Sequence, residues 1–91
     1  MQDVIALQLI AADFKETIYL DTENCAICKA VKRQLKAGRV MEAGFCTWID
    51  STKIYEHSEY TGDKFNLDAK TAAQHNYDTT VIREIVLTKS K

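Results

Sequence analysis

The segment Thr79-Thr80-Val81-Ile82-Arg83-Glu84-Ile85-Val86-Leu87 constrains the fold more than any other stretch of the chain. Apart from Arg83, Glu84 and Leu87, every residue in it is β-branched. Such side chains crowd a helix but pack well on a pleated surface. This predicts a strand, and a strand needs partners to be stable. Four other segments can supply them. Val4–Ile10 places Ile5, Leu7 and Leu9 on one face when extended, although its alanine and leucine content makes a helix over residues 3–14 the competing reading. Glu16–Leu20 alternates polar with apolar residues, Phe45–Ile49 is rich in β-formers, and Lys53–Tyr60 alternates again.

Two helices complete the pattern. Asp21 or Thr22 can cap the first, with Glu23 in its first turn and Gly38 as the left-handed residue beyond its end near Ala37. Asn66 can cap the second over Leu67–Gln74, with Thr61-Gly62-Asp63 as the preceding turn and Arg39–Gly44 as a plain connection. The expected fold is therefore α+β in the order ββαββαβ. Residues 1–91 form a single domain, with an antiparallel or mixed sheet and both helices packed on one face.

Composition narrows the function classes. Apolar residues are 46% of the 91, and 12 basic against 13 acidic side chains leave a net charge of −1, so neither a disordered chain nor a general polyanion binder is expected. With no proline and three glycines, the chain has no Gly-rich phosphate loop and no proline-rich ligand motif. The most apolar run, Val4–Ala12, is far short of the ~20 residues that cross a bilayer, and Asp3 stands where a secretory leader carries a basic residue. The odd cysteine count (Cys25, Cys28 and Cys46) fits a reducing compartment, so a cytoplasmic protein without membrane partners is expected.

The clearest chemical motif is Cys25-Ala26-Ile27-Cys28 at a helix start after a strand-like segment. In this respect residues 18–35 resemble the glutaredoxin and thioredoxin-like families. The resemblance implies that Cys25 is a nucleophile activated by the helix N-terminus and Cys28 the resolving thiol. Those families also use a proline-containing loop beside the cysteines, and this chain has no proline. The spacing alone favours another reading, in which Cys25, Cys28, Val31 and Leu35 form the apolar face of a helix against the sheet. A third reading takes Cys25, Cys28, Cys46 and His57, or His75 in place of His57, as zinc ligands. Only one half of the usual paired ligand signature is present, and Cys46 shares a strand face with Trp48, which points to core packing.

The same helix carries Lys29, Lys32, Arg33 and Lys36 at helical spacing, with Arg39 just beyond. This basic face could meet a small anionic ligand or an acidic protein partner, or could simply be solvated. No aromatic residue interleaves it, which argues against nucleic acid. Tyr55, His57 and Glu59 alternate on one face of a predicted strand, either as an exposed face or as the lining of a small polar pocket. No catalytic triad, metalloprotease motif or cofactor-binding motif is present, so a non-enzymatic protein without a cofactor is expected.

The strand followed by Cys25-x4-Ala30-x-Lys32-Arg33-x-Leu35 and a final β-rich segment is similar to small uncharacterised proteins of bacteriophages and other mobile elements. That resemblance implies a binding device that self-associates. Sheet edges at Val4–Ile10 and Lys53–Tyr60 are the expected pairing surfaces. The sequence reading as a whole is a small self-associating binding protein that uses Lys29, Lys32, Arg33, Lys36 and Arg39. A dithiol redox protein and a structural zinc protein are the alternatives.

Overall fold

The computed structural model describes residues 3–57 and 60–90. Its elements are β1 (Val4–Ile10), a short 3-10 turn (Ala11–Phe14), α1 (Ala26–Leu35), β2 (Val40–Ala43), β3 (Cys46–Ile49), β4 (Thr52–His57), α2 (Gly62–Ala73) and β5 (Val81–Lys89). The strands form one antiparallel sheet in the order β1-β5-β4-β3-β2. The C-terminal strand thus lies between β1 and β4. Its inward residues Ile85 and Leu87 face Leu7 and Ile5 across the register.

Both helices cover the same face. Cys28, Ala30 and Val31 of α1 join Leu7, Leu9, Val40, Tyr55 and Leu87 in one buried cluster. Helix α2 is anchored on that face by Asp68, whose carboxylate accepts from Arg83 of β5 at 2.6 and 3.0 Å and from the Tyr60 hydroxyl. Burial, followed by the bond to Asp68, holds the Tyr60 phenol well above its ordinary pKa, so it remains a donor.

The structure reorders the expected ββαββαβ chain to β, 3-10 turn, α, β, β, β, α, β. Segment 16–20 is not a strand, because Glu16 and Leu20 both take positive φ and break the extension that the alternation implied. Instead, β1 ends where the Asp13 carboxylate accepts the Ile10 N–H at 2.9 Å and turns the chain. The missing strand is recovered from the expected connection 39–44. Gly44 (φ 58°) and Phe45 (φ 61°) form a two-residue turn with both central residues left-handed, which pairs Ala43 with Cys46. Asp50 and Ser51 repeat the same backbone solution between β3 and β4.

The helix boundaries also shift. Asp21 does not cap α1; its carboxylate accepts the N–H groups of Glu23 and Asn24 in a local turn, and Cys25 becomes the cap. Lys36 (φ 53°), not Gly38, takes the left-handed position at the end of α1. Helix α2 begins five residues before the expected start at Leu67, because the Thr61 hydroxyl accepts the Lys64 N–H. Gly62 lets the Tyr19 ring approach that first turn closely, since a Cβ there would lie 3.3 Å from the ring and would press on it.

The expected sheet edges change as well. Strand β4 is interior, paired on both sides, and Ser58 and Glu59 of the expected strand lie outside the described residues. Strand β1 is an edge, but α1 closes much of it. The Gln34 side chain accepts from the Gln8 N–H at 3.0 Å and donates to the Ala6 carbonyl at 2.8 Å, and Arg33 donates to the Gln8 carbonyl at 2.6 Å. The other edge is β2, where the Glu42 N–H donates to the Thr22 carbonyl at 2.8 Å.

Asp68→Ala removes the shared acceptor of Tyr60 and Arg83 under α2. It is expected to cost about 2–4 kcal/mol, toward the lower end because Arg83 is one-third exposed. Chemical denaturation of the two proteins measures this directly, and a loss below about 0.5 kcal/mol contradicts the anchoring role.

Candidate functional site

Segment 18–24 is a compact strap. The Ile18 N–H donates to the Asn24 carbonyl at 3.1 Å, the Asp21 N–H donates back to the Ile18 carbonyl, and the Thr22 carbonyl holds the edge of β2. The Tyr19 hydroxyl donates to the Tyr60 carbonyl at 2.8 Å, and its ring packs on Phe65 with centroids 5.4 Å apart. Phe14 lies on the other side of Phe65 at 5.8 Å. These contacts hold the strap between α2 and the β2–β3 hairpin.

A cleft of about 260 Å³ opens between the strap, the first turn of α1 and that hairpin. Its walls include Tyr19, Leu20, Cys25, Ile27, Phe45, Tyr60 and Phe65, so it is mainly apolar and aromatic. Glu42 and His57 in the lining already have partners. One Glu42 carboxylate oxygen accepts from the Thr47 hydroxyl, and the other lies 2.7 Å from His57 Nε2. Both side chains of this pair are nearly buried, at 9% and 4% exposure. Oδ1 of the Asp21 carboxylate is engaged by its local turn, whose N–H groups hold its pKa below the ordinary carboxylate value.

The dithiol lies at the edge of the cleft. Cys25 lines it, Cys28 is wholly buried behind, and the two Sγ atoms are 3.1 Å apart. Cys25 also accepts from the Cys28 N–H at 3.4 Å as the helix cap. The contact between the two thiols lowers the Cys25 pKa, opposed by burial, while that same contact and burial push up the Cys28 thiol, which also donates to the Thr22 carbonyl at 3.3 Å. The pair is thus polarised, with the thiolate favoured on the sulfur that reaches the cleft. Cys28 also serves the core, as the spacing indicated.

Cys46 is not brought to this pair. Thr47 is the inward residue of β3, so Cys46 and Trp48 point to the other face of the sheet, contrary to the core position expected for them. Among the described residues no group of three or more His, Cys, Asp and Glu side chains is placed to hold a metal ion, and the four zinc candidates are not assembled. Tyr55 and His57 do share a face, but it is the interior one. Tyr55 is fully buried and His57 nearly so, which overturns the exposed-face reading.

The basic face is broken up by internal bonds. Arg33 pairs with the buried Asp13 at 3.0 Å, Arg39 pairs with Glu23 at 2.9 Å, and Lys29 donates to the Lys15 carbonyl. Lys32 and Lys36 remain exposed on α1. Three of the five candidate cations therefore have partners within the chain.

Apart from Cys25 and His57, the sequence did not announce the lining of this cleft, and Leu20 and Phe45 stand out among the residues it missed. Leu20 (φ 65°) and Phe45 (φ 61°) stand in the left-handed region, which costs a side-chain-bearing residue roughly 1–2 kcal/mol. Neither recovers that cost by burial, being 72% and 47% exposed. Phe45 meets His57 edge-on with ring centroids 5.9 Å apart.

A search of protein-family models, of curated proteins and of solved structures finds no match to this chain. The geometry of the site therefore carries the functional argument.

Glu42→Ala strips the acceptor from the Thr47 hydroxyl and the buried His57 ring, and a stability loss of about 2–3 kcal/mol is expected. Glu42→Gln retains an acceptor and should lose less. Thermal unfolding of the three proteins gives the order, and equal losses for both variants contradict this account.

Proposed function

We propose that the protein is a small binding protein whose ligand seats in the cleft beside the N-terminus of α1, not on the basic face of that helix. The supporting observation is the cleft itself: an apolar, aromatic-walled concavity whose Glu42 and His57 side chains are bonded to one another rather than open to a ligand. Concave apolar sites with few polar groups are the usual seats of small ligands. The basic face offers an anion less, because Lys29, Arg33 and Arg39 already have partners within the chain.

A fluorescent probe separates the two sites. N-phenylnaphthylamine is uncharged and brightens in apolar surroundings. It should bind the reduced protein saturably, with one site per chain. Binding should be unchanged by added salt and by the double substitution Lys32→Glu/Lys36→Glu, since neither lysine lines the cleft. No saturable binding overturns the reading. Tight binding of an anionic probe, lost with salt and in the double variant, returns the site to α1.

The separation of 3.1 Å between the two sulfurs supports a second reading, thiol–disulfide exchange with an organic disulfide. The Cys25 thiolate attacks one sulfur of the disulfide and releases a first thiolate, which takes up a proton. Cys28 then loses its proton and attacks Cys25 Sγ, releasing a second thiol and closing the protein disulfide. The S–S distance needs to shorten by only about 1 Å to reach bonding length. In a Cys46→Ser background, reduced protein treated with dithiodipyridine should release two thiopyridones per chain and lose two hydrogens by mass. The further substitution Cys28→Ser should trap a mixed disulfide on Cys25. Thiols that react only after unfolding sink this second reading.

A further inference from the structure

Six side-chain-bearing residues among those described adopt positive φ: Glu16, Leu20, Lys36, Phe45, Asp50 and Ser51. Four of them are polar or charged and have a local role. Lys36 ends α1, Asp50 and Ser51 turn β3 into β4, and Glu16 follows the turn after β1. The other two are Leu20 and Phe45, the only large apolar members of the set. Both line the cleft, one from the strap and one from the hairpin.

A two-residue turn of the Gly44-Phe45 kind normally carries glycine, asparagine or aspartate at its second position. Phenylalanine there is unfavourable to the turn, and its half-exposed ring is not repaid by the core. Leu20 combines the same backbone with greater exposure. Within the fold alone, both positions are better served by asparagine. What the two side chains have in common is the mouth of one cleft.

We propose that Leu20 and Phe45 are the two jaws of the cleft, and that the ligand they grip is an uncharged, flat aromatic compound. The inference rests on the cleft being a binding site and adds which residues select the ligand and what its chemistry is. Aromatic walls from Tyr19, Phe65 and Tyr60 suit a flat ring, which can meet them face-on or edge-on. The lining disfavours charge on the ligand. An anion would be desolvated beside the Glu42 carboxylate, and because that carboxylate is already committed to Thr47 and His57, a cation buried against it gains little; Asp21 is engaged through Oδ1 by its own turn. Cys25 at the edge of the cleft adds a polarisable sulfur that suits ring edges.

The test compares N-phenylnaphthylamine with anilinonaphthalene sulfonate, which has the same ring skeleton plus a negative charge. Binding to the wild type, Leu20→Asn, Phe45→Asn and the conservative Leu20→Met and Phe45→Tyr is followed by fluorescence titration, with folding checked by circular dichroism and thermal melts. The neutral dye should bind the wild type at least roughly tenfold more tightly than the sulfonate. Each asparagine variant should weaken it by about tenfold while melting no lower than the wild type, and Leu20→Met and Phe45→Tyr should retain it.

Asparagine variants that bind the dye as the wild type does overturn the jaws and leave the cleft standing. Equal or tighter binding of the sulfonate overturns the uncharged ligand. No binding of either dye to the wild type removes the cleft reading and this inference together. The two-dye comparison needs only the wild type, so it decides whether the cleft tolerates a negative charge even if a variant fails to fold.

Discussion

One carboxylate supports the upper part of this molecule. Asp68 is almost wholly buried and accepts from Arg83 and from Tyr60. Through Arg83 it fixes α2 to β5; through Tyr60 it fixes the segment entering α2. The Tyr60 carbonyl in turn receives the Tyr19 hydroxyl, and Tyr19 lies against Phe65 and over Gly62. The strap that walls the cleft therefore hangs from a chain of contacts that ends at a buried acid. Such an arrangement is rigid only while every member is satisfied, because an unpaired polar group in that setting is costly.

Much of the sheet was legible in the sequence. β1 and β5 showed themselves by β-branched and alternating residues, and Ile5, Leu7, Ile85 and Leu87 face inward as that pattern requires. The apolar face of α1 was equally plain. The errors have specific causes. Segment 16–20 copies the alternation of a strand, but periodicity carries no information on φ, and two left-handed residues decide the matter. β2 was hidden because its turn places phenylalanine where asparagine or glycine would have advertised a hairpin. Cys46 and Trp48 looked like core because large and sulfur-containing side chains are usually buried. Register instead gave the inward position to Thr47, whose hydroxyl is wanted by Glu42.

The candidate site was legible only in part. Cys25 and Cys28 were readable as a pair, and their juxtaposition at a helix start holds, one residue position being enough to make Cys25 the cap. The partnership of Glu42 with His57 spans two strands and was beyond any local pattern. The basic stripe shows the opposite fault. Helical spacing displayed five cations on or near one helix, but spacing cannot reveal that Asp13 and Glu23 stand opposite two of them. Both faults come from the same limit: a periodic pattern specifies a face and not what that face meets.

The treatment of β1 by α1 has a consequence for assembly. Side chains of Arg33 and Gln34 occupy backbone groups that a neighbouring strand would otherwise claim. The margin of β2 is covered as well, by the strap, whose Thr22 carbonyl accepts the Glu42 N–H. The chain thus occupies part of both sheet margins itself, one with helix side chains and the other with backbone. A strand arriving at either margin would have to displace bonds already made, so both act as guards against edge-to-edge pairing.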